Sequence, residues 1–322
     1  MDMNFRTLTE RITDDEAAYE FLELLRWDGQ PLCPHCGSTE QHYFLTPKAA
    51  DGRKTRTGAV TVRRLWKCRS CRKQFSVLTG TIMHGTKISI RTWVLVIYSM
   101  CSSKNGVASR EIERDYGLTP RSAWFMIQRI REAMLREDDL PFLAGEVESD
   151  ETWIGPRQRN VHRNHYANKT PVLTLIDRGT GEARSGLMPR VTAETLAAAL
   201  TEQMAPEAVL MTDGNRGYQT VGATFSEHHR VNHEIKEYAR TVRGKDKQKR
   251  RAGVNRCEGF FSQLKGSLDG TFHHVSVEHL NRYLAEFDYR YSTRKQSDAQ
   301  RMANLVGRVG GRRITYDALT GR

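Results

Sequence analysis

Apolar positions recur at helical spacing over residues 14–28 (DDEAAYEFLELLRWD), where Ala18, Phe21, Leu22, Leu25 and Trp27 follow an acidic first turn. The same period returns in three stretches, Ile90–Ser99, Val107–Tyr116 and Pro120–Met134. Asp138, Asp139 and Pro141 mark a boundary, and beyond it the pattern changes. Gly145–Ile154 reads as a strand and Thr170–Asp177 (TPVLTLID) as a buried one, with a turn at Arg178–Gly181 leading into a strand over Glu182–Met188. A helix over Thr192–Gln203 takes Thr192 as its N-cap. Ala208–Met211 is a short buried strand running into Thr212-Asp213-Gly214, followed by a helix through Tyr218 and a strand near Arg230–His233. Helices close the pattern at Cys257–Leu268 and Val277–Tyr291. Strands mixed with helices in this order predict an α/β domain behind a helical one, and no internal repeat is visible.

Charge adds a partner. The 322 residues suffice for two or three domains, and 50 Lys+Arg against 38 Asp+Glu leave +12. An excess of that size suits a polyanion, whose neutralised phosphates release counterions. No apolar run reaches the ~20 residues of a membrane span; the longest, Trp93–Met100, is broken by Ser102, Ser103 and Lys104. The polar, acidic start (MDMNFRTLTERITDDEAAYEF) lacks signal-peptide features. A cytoplasmic, nucleoid-associated protein is expected, with its six cysteines as reduced thiols suited to metal rather than disulfides.

Four of those cysteines form two CxxC pairs, Cys33-Pro-His-Cys36-Gly and Cys68-Arg-Ser-Cys71, separated by 31 residues. Two such pairs complete a tetrahedral four-thiolate zinc site, and a closed site of this kind is structural because no position is left for water. The glycine after the first pair permits a sharp turn. The long spacing implies an inserted loop or hairpin over Thr46–Val60. His35 is expected to fill the knuckle rather than bind metal, and Cys101 and Cys257 to be packing residues. Arg63, Arg64, Lys67, Arg69, Arg72 and Lys73 surround the second pair and, with Trp66 and Phe75, form a candidate surface for nucleic acid. The stretch from Gly106 to Trp124 fits a helix-turn-helix: Ile112 and Tyr116 on the apolar side, Gly117 in the turn, Thr119 as cap and Pro120 at the first helical position. Arg121, Ser122 and Gln128 would then face DNA.

Carboxylates carry the candidate chemistry. Glu146, Glu148 and Asp150 alternate along one strand and so point to one face, which needs cations or a metal to be tolerated. Asp213 ends a second apolar strand; carboxylates at neighbouring strand ends hold hard cations such as Mg²⁺. In Asn255-Arg-Cys-Glu258-Gly-Phe-Phe-Ser-Gln-Leu-Lys265, seven residues are nearly two helical turns, which puts Glu258 and Lys265 on one face.

The motifs CPHCGS, WKCRSC, FSVLTGTIM, ESDETWIG, LMTDGNRGY, NRCEGFFSQLKGSLDGTFHHVS and HLNRYLAEFDYRY, in this order, resemble bacterial insertion-sequence transposases of the ISXO type. The resemblance runs from about Cys33 to the C-terminus. It implies a multidomain chain: an N-terminal helix and zinc ribbon over 14–80, a helix-turn-helix-like DNA-binding segment over 81–140, an RNase H-like core over 141–300 and a tail over 301–322. It further implies Asp150 and Asp213 as the first two catalytic residues, with Glu258 or, in an Asn-ending variant, Asn255 as the third, and Lys265 as the basic partner on the same helix. Structural Zn²⁺ on Cys33, Cys36, Cys68 and Cys71 and catalytic Mg²⁺ or Mn²⁺ on Asp150, Asp213 and Glu258 follow, as do DNA contacts from Arg69, Arg72, Lys73, Arg121 and Lys265. The expected partners are double-stranded DNA, as terminal inverted repeats and as target, and a second copy of the chain in the DNA complex. The seven Lys/Arg of Arg240–Arg251 are expected in a loop that orders on DNA. The rival readings are a zinc-ribbon regulator or inactive domesticated transposase, and an RNase H-like nuclease without strand transfer.

Overall fold

A computed structural model describes residues 3–45, 53–54, 60–61, 63–136, 140–156 and 168–321. The chain forms two compact units. The first opens with α1 (Phe5–Arg11) and α2 (Asp15–Trp27), the latter capped by Asp14, whose carboxylate accepts the Ala17 N–H at 2.9 Å. Short strands follow: β1 (His42–Phe44), β2 (Arg53–Lys54), β3 (Val60–Thr61), β4 (Trp66–Cys68) and β5 (Gln74–Phe75). β1, β4 and β5 make one antiparallel sheet, while β2 and β3 pair as a hairpin inside the stretch expected to be inserted; the rest of Thr46–Val60 lies outside the described residues. Then come α3 (Ile90–Ser102), α4 (Ser109–Tyr116) and α5 (Pro120–Met134). Gly117 caps α4 in the left-handed conformation at φ +62°, and Thr119 Oγ1 accepts the Ser122 N–H at 3.2 Å. The turn chemistry expected of the helix-turn-helix is therefore present.

The second unit begins with β6 (Glu146–Ile154), β7 (Thr170–Asp177), β8 (Ala183–Leu187), α6 (Ala193–Gln203), β9 (Val209–Thr212), α7 (Tyr218–Gly222) and β10 (Glu227–Arg230). Its five-stranded sheet has the order β10-β9-β6-β7-β8, with β6, β7 and β8 antiparallel and β9 and β10 parallel to their neighbours. A hairpin of β11 (Ala239–Arg243) and β12 (Lys249–Gly253) leads into α8 (Asn255–Ser267) and α9 (Val277–Ser292). One face of the sheet packs Val147, Leu173, Leu175 and Leu210 against Leu196, Leu200 and Tyr218 of α6 and α7. The other packs Val172 and Ile176 against Phe260, Leu264, Leu280 and Phe287 of α8 and α9. Helices over both faces of a mixed sheet match the expected RNase H-like core.

Four expectations change. The chain returns to the first unit through α10 (Asp298–Gly307) and α11 (Tyr316–Thr320). Residues 301–322 are thus no separate tail: Met302, Leu305, Val306 and Val309 are fully buried, and α10 packs on α2 and α3. The expected borders at 80, 140 and 300 give way to one unit of residues 1–103, 107–134 and 296–322 and another of 104–106 and 135–295. The Arg240–Arg251 run is an ordered antiparallel hairpin, because Arg250 pairs with Asp246, Glu146 and Glu227. The strand expected near Arg230–His233 ends at Arg230, as His233–Ile235 turn into a 3₁₀ helix.

Candidate metal-dependent active site

The register of the sheet places the acidic residues. Glu148 on β6 pairs with Met211 on β9, and the two strands run parallel. Asp150 stands two residues further along β6 and Asp213 one residue past the end of β9, which puts them in line with neighbouring strands ~4.8 Å apart. α8 brings Glu258 across the same end, because the charges of Asp213 and Glu258 both act on Asp150. Burial first, then the negative charges of Glu151, Asp213 and Glu258, push the Asp150 carboxyl up to about 8. A divalent cation would remove that repulsion, and oxygen donors of this kind suit Mg²⁺ or Mn²⁺. Lys265 also feels the charge of Asp150, as Glu258 does from nearly two turns earlier on α8.

The other two alternating carboxylates have different work. Glu148, only 1% exposed, accepts Arg178 Nε at 2.6 Å on one oxygen and the backbone N–H groups of Arg256 (2.8 Å) and Cys257 (3.4 Å) on the other. The N-cap of α8 is Val254, which has no side chain to offer those donors. A strand carboxylate therefore caps the helix that carries Glu258. Glu146 pairs with Arg178 at 3.4 Å and Arg250 at 3.2 Å. The cations required beneath this face are these arginines.

Asn255 is the exposed first residue of α8 and makes no side-chain cap, the open backbone donors of the helix going to Glu148 instead. Glu258 also approaches His233, Oε1 to Nδ1 at 3.7 Å. On the opposite face of β6, Glu151 is raised to about 7 by burial, while side chains of Tyr218 and Asn215 hydrogen-bond to it and Asp213 adds repulsion. Asn215 donates its N–H to Asp213 Oδ1 at 2.9 Å. Tyr218, completely buried, meets Ser149 Oγ at 3.0 Å. These residues tie the Asp213 loop to β6. A cavity of about 570 Å³ opens beside Asp213, lined among others by Arg216, Arg230, His233 and Arg240.

In the first unit, Cys33, Cys36, Cys68 and Cys71 place their sulfurs within 4.8 Å of one another. Cys33 and Cys71 Sγ are 3.7 Å apart, as are Cys36 and Cys68. Tetrahedral bonds of ~2.3 Å to one zinc ion need edges of ~3.8 Å, so the four thiols fit that ion. His35 turns to Gln74 O at 3.3 Å, and Cys101 and Cys257 are buried, as expected of packing residues. Arg69, Arg72 and Lys73 are exposed, Arg72 at φ +59° in the second knuckle. Arg121 is exposed at the start of α5, its guanidinium 3.8 Å from the ring centre of Tyr316. Four other candidates for the nucleic-acid surface are structural. Arg64 pairs with Glu20 and Glu23, Trp66 donates to Glu23 at 2.9 Å, Phe75 is buried against Trp27, and Gln128 is fully buried within α5. Spacing along the chain does not reveal Glu20 and Glu23 of α2, which receive Arg64 and Trp66.

Residues 13–74 match the transposase zinc-ribbon domain, and residues 142–292 match the ISXO2-like transposase domain. The chain carries both domains of this transposase family. An uncharacterized protein in transposable element ISH50 of Halobacterium salinarum is 25% identical over 293 residues, spanning 86% of this chain and 90% of that one. A cryoEM structure of the simian T-cell lymphotropic virus intasome in complex with PP2A regulatory subunit B56 gamma aligns with 59% of this chain and 64% of that one, at 10% identity and a TM-score of 0.28. The second match covers Asp150, Asp213 and Glu258 together with every element that positions them.

Proposed function

We propose that this transposase binds the terminal inverted repeats of an insertion sequence and cuts and joins DNA strands with the help of divalent cations. The observation that supports this reading best is the meeting of Asp150 in the middle of β6, Asp213 just past the end of β9 and Glu258 on α8. Mg²⁺ or Mn²⁺ held by these carboxylates supplies activation of water or a DNA 3′-hydroxyl and charge stabilisation of the leaving oxygen. The protein's own part is positioning and charge. Glu148 fixes the start of α8, Asn215 and Tyr218 fix the Asp213 loop, and Lys265 offers an ammonium group to a phosphate beside Asp150. Zinc on the four cysteines holds the ribbon so that Arg69, Arg72 and Lys73 reach the DNA backbone, with Arg121 doing so from α5. Paired ends call for a dimer in the DNA complex, acting on the nucleoid in the cytoplasm.

Purified protein, incubated with Mg²⁺ and DNA carrying the flanking repeats, should cut and join ends. Asp150→Asn and Asp213→Asn should abolish both reactions while the folded variants still bind the repeats. Glu258→Gln should do the same, whereas Asn255→Ala should remain active. An active Glu258→Gln beside a dead but folded Asn255→Ala would reverse the choice of third ligand. Cutting without joining would mark a nuclease, and repeat binding without either reaction a regulator.

A further inference from the structure

The motif GTFHHVS, after α8, has no part in the site described so far, yet it walls a second cavity of about 580 Å³ beside the carboxylates. We propose that this cavity is a nucleotide subsite: it takes the nucleotide next to the phosphodiester being cut, with its phosphate on Lys169 and Lys265 and its sugar and base against Leu268, His273 and His274. The subsite rests on the transposase reading given above and adds to it a specific seat for one nucleotide.

Four observations meet here. The volume lies within the range of pre-formed small-ligand sites, ~300–1,000 Å³. Lys169 and Lys265 both line the cavity, and they are close enough that the charge of Lys169, after burial, holds the Lys265 ammonium below its usual range. Two ammonium groups lining one cavity offer a seat to an anion, Asp269 being the one carboxylate in the lining, and the charge of Asp150 on Lys265 puts that seat near the reacting phosphate. The position of Lys169 is set by a close approach of backbones. A side chain at Gly155 would come within 2.7 Å of Asn168 O and 3.0 Å of Lys169 Cα, so only glycine lets the end of β6 lie against the residues that lead into β7.

The opposite wall is built from unusual backbone. α8 passes at Leu268–Phe272 into one π-helical turn, a rare form that is frequent at functional sites. His273 follows at φ +59° and ψ −40°, a conformation rare for a residue with a side chain, and it is held by Nδ1 to Asp269 O at 3.0 Å. His274 N–H donates to Phe272 O at 2.7 Å. The extra residue in the turn and the left-handed step end the helix abruptly, and both imidazoles become part of the cavity wall.

The test is a set of duplexes carrying the terminal repeat and its flank, each with one neutral methylphosphonate near the cut, whose binding is measured without divalent cation. The wild-type chain should lose roughly tenfold in affinity at one or two positions, the scale of a lost hydrogen bond to a charged group. In Lys169→Ala those positions should become insensitive while all others keep their wild-type response, and Lys169→Arg should restore the sensitivity. A response in Lys169→Ala identical to wild type at every position would overturn the subsite. Equal wild-type binding of repeat and scrambled duplexes would instead overturn the transposase reading on which the subsite stands.

Discussion

Glu148 shows how the residue type can be legible while its task is not. Alternation along β6 placed Glu146, Glu148 and Asp150 on one face, and the structure keeps them there. Only Asp150 meets Asp213 and Glu258; Glu148 answers Arg178 and two backbone donors of α8 that are 108 and 109 residues away in sequence. No local pattern encodes such distant partners. Removing its charge leaves the mostly buried Arg178 guanidinium with the longer contact to Glu146 at 3.4 Å, a loss of about 2 kcal/mol, the scale of a hydrogen bond to a charged group. Glu148→Gln should therefore lower the denaturant midpoint markedly with the m-value unchanged. A variant as stable as the wild type would show that the Arg178 pair contributes nothing to α8.

Among the elements, those with strong periodicity stand where the sequence puts them: Thr170–Asp177 and Pro120–Met134 have the expected limits, and α6 has the expected Thr192 cap. The misplaced ones are short or polar. The basic β11–β12 hairpin has no apolar alternation to announce it, since Arg250 and its acidic partners hold it instead. The ribbon's order depends on its four sulfurs, so one zinc per chain is expected, and chelation should unfold residues 13–74 before the RNase H-like sheet. Metal analysis and tryptophan fluorescence of Trp27 and Trp66, which pack at 6.2 Å, would follow this. Contact between α9 and β8 carries a pH signature. Asp288 accepts the Ser185 N–H at 2.7 Å and the Ser185 hydroxyl at 2.6 Å, but burial outweighs them and raises it to about 7. A carboxyl raised on folding stabilises most below its unfolded value and loses that contribution as pH climbs through its folded one. The stability advantage of wild type over Asp288→Asn should thus fall between pH 4 and 7, by at most ~1.4 kcal/mol per pH unit. A difference that is flat with pH would mean that Asp288 is ionised in the native protein.

At the scale of the whole molecule, the unit that holds the transposase domain is inserted within the unit that holds the zinc ribbon. Sequence motifs run in order along the chain and so suggest domains in the same order; the buried apolar face of α10 is what joins residues 296–322 to the first unit. A fragment of residues 1–140 lacks Met302, Leu305, Val306 and Val309, each fully buried, and leaves the surfaces of α2 and α3 uncovered. Losing several such side chains costs more than most small domains can spare. That fragment should give poorly dispersed NMR spectra and no repeat-specific binding. Joining residues 1–136 to 296–322 through a flexible linker should restore both. A well-folded fragment of 1–140 would show that α10 only decorates the unit.

The two-part make-up of the first unit also orders events at the ribosome. Residues 135–295 emerge before residues 296–322, so the strands and helices that carry the three carboxylates can fold while the first unit still lacks its closing helix. A polypeptide cut short anywhere before α10 then has no finished surface with which to occupy the repeats. On the proposed function, incomplete products of translation should then be poor competitors for the element's ends, because the core of the first unit is shared between distant parts of the chain.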